Sequence, residues 1–141
     1  MSLIEIFPAL AALAFAGFLV FSSRSLEATA SSWMYPAALS VTFLIFSVVT
    51  IFSEGLFGFW HEHTQSLWGN QVWFDLLLAI GITWHLLLPE ARALGMRATP
   101  WIVAICLSGC IGLLVMYARL LYLRNARGHT AQEALNASQA I

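Results

Sequence analysis

Six side chains in this sequence are of types that do acid–base or metal chemistry and lie within or beside long apolar runs: Glu54, His61, Glu62, His63, Asp75 and His85. Ionisable groups at membrane depth are costly, so each is a candidate for function by default. Glu54 closes one apolar run, the two histidines and Glu62 follow within ten residues, and Asp75 lies one turn into the next run. Histidine with carboxylate is a ligand set for Zn2+ or Fe2+, which makes His61, Glu62 and His63 the candidate metal ligands. Their spacing is not the helical His-Glu-x-x-His of zinc proteases, because position 65 is glutamine. The competing reading is a solvated polar loop tip.

Glu54, Asp75 and His85 are the candidate catalytic residues. Gln71, Asp75 and His85 fall within about 80° of one another on a helix. Such a stripe on an otherwise apolar helix is expected to face the interior of a bundle. Asp75 and His85 are ten residues apart, about 15 Å along the axis, so they cannot bond directly. A structural role competes for Asp75: accepting bonds from loop backbone or from tryptophan and asparagine side chains. His85 could ligate a haem or chlorin. No other predicted span contains a histidine, so ligation of one haem by two histidines within one chain is excluded. A single buried histidine bonded to a hydroxyl or carbonyl is the plainer alternative, and no cofactor is indicated.

The elements that must position these residues are apolar helices. The chain has 141 residues, of which 60% are hydrophobic and only 9% charged, with a mean hydropathy of +0.82. An ordinary soluble domain carries roughly a quarter charged residues, and a chain this short cannot hide so much apolar surface in a water-soluble core. The expected fold is therefore all-α, an integral membrane bundle of four transmembrane helices near residues 3–22, 33–53, 71–88 and 99–123. This domain occupies residues 1–125, with a polar tail over 126–141. The amino terminus lacks the basic region of a secretory signal, so the first apolar segment is expected to remain as a helix.

Particular residues set these limits. Pro8 falls in the first turns of segment one, where a helix tolerates it, and Ala9, Ala12 and Ala16 make a small-residue stripe. Segment two carries Ser40, Ser47, Thr50 and Glu54 on one face, a polar seam expected to point into the bundle. The alternative for its hydroxyls is a bond back to the same helix. Residues 55–70, with glycines at 55, 58 and 69 and several aromatic residues, read as an interfacial loop or a short amphipathic helix. Segment three is expected to stop at Pro89. Segment four opens on Thr99 as N-cap with Pro100 at the first helical position. In it Ala104, Ser108 and Gly112 repeat at four-residue intervals, a pattern for close helix contact. Tryptophans 33, 60, 68, 73, 84 and 101 lie mostly near span ends, as interfacial anchors do.

Several classes of function are excluded. Lysine is absent, so no Schiff base can form on this chain. Six scattered arginines and a net charge of −1 make no nucleic-acid surface. Cys106 and Cys110, four apart on one helix, read as small hydrophobes rather than a redox pair. With four spans, Arg24, Arg92 and Arg97 share one side and Arg119, Arg124 and Arg127 the other. On that tie the positive-inside rule assigns no orientation.

The pieces Asn70-Gln-Val-Trp-Phe-Asp75-Leu-Leu, Glu90-Ala-Arg-Ala-Leu-Gly95-Met96, Trp101, Gly112 and Leu121-Tyr-Leu-Arg124 resemble a family of small, uncharacterised bacterial integral membrane proteins. The resemblance covers about residues 70–124. It implies the helix layout and carries no activity. The expected function is that of a multi-pass protein of a bacterial inner membrane. It would serve as an accessory or assembly subunit of a larger complex, or bind a hydrophobic ligand such as a lipid, quinone or pigment. Expected partners are the lipid bilayer and other membrane subunits or further copies of the chain. The alternative is a small membrane enzyme acting on a lipid or isoprenoid substrate through the His61–His63 loop.

Overall fold

The structure is a computed structural model that describes residues 3–24 and 33–139. It is all-helical among those residues: α1 Leu3–Arg24, α2 Met34–Glu54, α3 Gly58–Thr64, α4 Leu67–Ala93, α5 Ala98–Ser108 and α6 Cys110–Gln139. Helix α1 belongs to a unit of its own, and α2–α6 form the second. Helices α2 and α4 are each long and apolar enough to cross a membrane, whereas the apolar stretches Pro8–Val20 and Ala98–Ser108 are shorter.

Segment two matches its expected limits within a residue. It ends where Gly55, at φ +86, donates to Ile51 O and turns the chain. The stretch after it is a short helix rather than a loop, and α3 leads through Ser66 into α4. The Ser66 hydroxyl caps α4 by accepting from Gly69 N at 3.0 Å. Gly69 is the close-contact point of this corner: a Cβ there would lie 2.6 Å from Glu62 O.

Helix α4 begins four residues earlier than expected and does not stop at Pro89. Proline withdraws one donor from the ladder, but the helix continues to Ala93, where its end is closed by backbone bonds. Gly95, at φ +82, donates to Arg92 O, and Met96 donates to Ala91 O, both at 2.9 Å. Glycine beyond the helix end with this bond pair is the Schellman arrangement. Helix α5 then starts at Ala98 with Arg97 as its N-cap, so Thr99 is not the cap and Pro100 sits third rather than first.

The largest correction concerns segment four. Residues 99–123 are not one helix, because the chain reverses at Gly109, whose φ of +57 and ψ of −123 favour glycine. In a continuous helix Ala104 and Gly112 would be separated by about 12 Å. Here a Cβ on Gly112 would lie 2.7 Å from the carbonyl carbon and oxygen of Ala104. The small residues at 104, 108 and 112 thus form a contact between α5 and α6, two halves of what reads as a single span.

The tail is also ordered differently from expectation. Helix α6 continues to Gln139, well past the expected limit at 123 and through most of the polar tail. Arg124 pairs with Glu90 at 3.8 Å, and Arg127 donates to Ala93 O at 2.9 Å, which ties the helix to the end of α4.

The core lies along α6. Ala91, Met116, Leu120 and Leu121 are buried, and Trp33, Trp84, Leu87, Trp101, Ile105 and Tyr117 pack against them. Trp33, Trp84 and Trp101 are therefore half-buried against the core. Trp33 meets Tyr122 edge-on at 5.8 Å, and Ser40 Oγ donates to Ile111 O at 3.3 Å, so α2 runs antiparallel to α6. Most large apolar side chains of α2 and α4 remain exposed, among them Phe52, Phe74, Leu78, Ile82 and Leu86.

Candidate functional site

The corner between α2 and α4 carries four of the six candidate residues. Glu54 is the last residue of α2. Its carboxylate lies over the first turn of α3, with Oε2 4.0 Å from the position of a Cβ on Gly58. His61, Glu62 and His63 follow on α3. Successive residues of a helix point about 100° apart, so these three neighbours share no common face. His61 and Glu62 are exposed, whereas His63 is half-buried, its ring 5.0 Å from that of Trp73. Phe59, one turn earlier on the same face of α3, packs on the same Trp73 ring at 6.0 Å. Among the described residues no three histidine, cysteine, aspartate or glutamate side chains lie close enough to hold a metal ion. The structure therefore does not assemble His61, Glu62 and His63 into a metal site, and it gives His63 a packing role.

Asp75 and His85 are placed by the rotation of α4. Its contact positions are Gly69 and Trp73 against α3, Ile80 beside Gly109, and Trp84, Leu87 and Ala91 against the core. These six fall within an arc of about 60°. Gln71, Asp75 and His85 lie about 180° away from that arc, and all three are exposed. The expected inward-facing stripe is thus turned outward, away from α6 and away from His63. Among the described residues Asp75 and His85 make no hydrogen bond or ion pair, and the expected docking of the Asp75 carboxylate on loop backbone is not observed. His85 is exposed, as are Phe74, Leu78, Ile82 and Leu86 of the same helix.

Two polar groups that the candidate set omits do the most within the fold. Ser40 is the one buried polar side chain among the described residues, and it satisfies the Ile111 carbonyl just beyond the break in α5–α6. Ser108 donates to Ala104 O at 2.7 Å and accepts from Gly112 N at 3.0 Å, joining the two sides of the break. The Ser108-Gly109 pair inside an apolar run was the available signal, since sharp bends favour such pairs. A shallow groove of about 240 Å3 is lined by Thr83, Leu87, Leu113, Leu114 and Tyr117. No family model matches the chain, and no curated protein or solved structure shows significant similarity to it.

Proposed function

We propose that this chain is a multi-pass protein of a bacterial inner membrane, and that it serves as a non-catalytic accessory or assembly subunit of a larger membrane complex. The observation that carries this reading is the outward stripe of Gln71, Asp75 and His85 on α4, an apolar helix long enough to span. A charged residue facing hydrocarbon costs roughly 3 kcal/mol or more. A stripe of three polar groups on one face is a seam for another helix, where side-chain hydrogen bonds act between helices.

The other readings draw less support. The groove beside Tyr117 is apolar but open, and at about 240 Å3 it falls below the usual range for small-molecule sites of roughly 300–1,000 Å3. An enzyme acting on a lipid or isoprenoid needs its acid, base or metal ligands gathered at one point. Asp75 and His85 point away from α3, which carries His61, Glu62 and His63.

The reading is tested by extracting the full chain from its native membrane into polymer-bounded lipid discs and weighing the particles. The expected particle is a stoichiometric assembly heavier than one 15.6 kDa chain. Asp75→Leu or His85→Leu should release the chain from that assembly, and Glu133→Gln should not. A single chain in the disc, with wild type and variants alike, would refute the accessory role.

A further inference from the structure

We infer that α5 and α6 form a re-entrant hairpin that enters and leaves the bilayer on the same side. This gathers the arginines at one end of the molecule, against the anionic inner leaflet, and leaves the Glu54–His63 corner outside. The inference rests on the chain being membrane-embedded, as proposed above, and goes beyond that reading by assigning the sides.

Depth is the first argument. Helix α5 has 11 residues, about 16 Å, roughly half of a 30 Å hydrocarbon core. The hairpin tip at Gly109 lies beside Ile80, the middle residue of α4 Leu67–Ala93. Ser40, bonded beside the tip, is seven residues into α2 from Trp33, about 10 Å along its axis. From the tip, α6 runs parallel to the second half of α4. Leu113, Leu114 and Tyr117 line one groove with Thr83 and Leu87, Arg124 meets Glu90, and Arg127 meets Ala93 O. The chain therefore returns to the end of α4 from which α5 set out.

Backbone chemistry is the second argument. Non-helical backbone at membrane depth is tolerated only where protein satisfies its polar groups. Around the tip, Gly109 N donates to Ile105 O, Leu113 N to Gly109 O, Gly112 N to Ser108 Oγ, and Ser40 Oγ to Ile111 O. The break is thus bonded by α2, α5 and α6 together.

Charge is the third. Arg92, Arg97, Arg119, Arg124 and Arg127 lie on the second half of α4, the α4–α5 turn and α6 beyond the tip, and no arginine or lysine occurs between residues 33 and 91. Arg119 lies over the ring of Tyr122, 5.5 Å from its centroid, one turn further toward the arginine-rich end. The opposite end holds Glu54, Glu62 and Asp75 without a counter-cation of either type. Treated as a through-going span, residues 99–123 would split these five arginines two against three. Treated as a hairpin, they put five on one side, and the positive-inside rule places that side in the cytoplasm, facing a leaflet whose negative potential attracts basic residues.

Single cysteines placed in the full chain, in a Cys106→Ser/Cys110→Ser background, test this in intact cells with a membrane-impermeant maleimide. Gln65→Cys should label from outside, and Thr99→Cys and Gly128→Cys only after permeabilisation. Labelling of Thr99→Cys and Gly128→Cys from opposite sides would overturn the hairpin, and labelling of both from outside would overturn the orientation. A reporter fused after Ile141 of the otherwise unaltered chain should read cytoplasmic, and an external reading overturns the proposal without any cysteine variant. Release of the chain by alkaline carbonate would instead refute the membrane reading on which the inference rests.

Discussion

Hydroxyl groups in this protein divide by where their bonds go, and the division sets what each removal does. Thr42, Thr50 and Thr83 donate to carbonyls four residues back in their own helices, where loss of the hydroxyl leaves the ladder intact. Ser108 bridges two helices, and Ser40 serves a carbonyl beside a chain break. Removing a partner from a buried polar group costs about 1–3 kcal/mol. Ser108→Ala is therefore expected to lower stability by about 1 kcal/mol or more, and Ser40→Ala to do so by a similar amount. Thr50→Val and Thr83→Val should fall within about 0.5 kcal/mol of wild type. Thermal unfolding in detergent checks the contrast. Ser40 was legible in the sequence as part of an inward polar seam. The direction of Asp75 was not, because spacing shows which residues share a face and never which face is covered. Interior polarity was the expectation for a self-contained bundle, and α4 instead turns its apolar side to α3 and α6.

At the scale of elements, close approach falls on particular glycines. A Cβ on Gly112 would sit 2.7 Å from Ala104 backbone atoms, whereas one on Gly81 meets nothing within 4 Å. Gly112→Ala is expected to destabilise the α5–α6 contact by about 1–3 kcal/mol, as overpacking does. Gly81→Ala should be neutral or stabilising by up to about 1 kcal/mol, because alanine is the better helix residue. Gly109→Ala carries a separate cost of about 1–3 kcal/mol, since its φ and ψ suit glycine alone. Melting temperatures of the three variants, measured side by side, rank these effects. The limits of α2 were legible because hydrophobicity stops abruptly at Ser53-Glu54-Gly55. The break in segment four was not, because the apolar run continues across it and only Ser108-Gly109 marks it. The extension of α4 past Pro89 depends on the Gly95 end bonds and on Ala91 reaching the core, which are tertiary facts.

For the whole molecule, the reversal at Gly109 decides how the charges, the core and the outward stripe are arranged. It lets Trp101 and Ile105 pack on the buried cluster of Ala91, Met116, Leu120 and Leu121, and it returns α6 to the end of α4. Composition made the all-helical, apolar character legible, and it left the number of through-going helices open to this one turn. The direct test is the distance between spin labels at Ile102→Cys and Tyr122→Cys in the cysteine-free chain, reconstituted in lipid discs and read by pulsed electron–electron resonance. Both positions are exposed in the structure. The folded-back hairpin gives a short separation, under about 20 Å, set by the 8–10 Å spacing of packed helices and the label linkers. A separation near about 30 Å, the rise of 20 residues in one continuous helix, would contradict it.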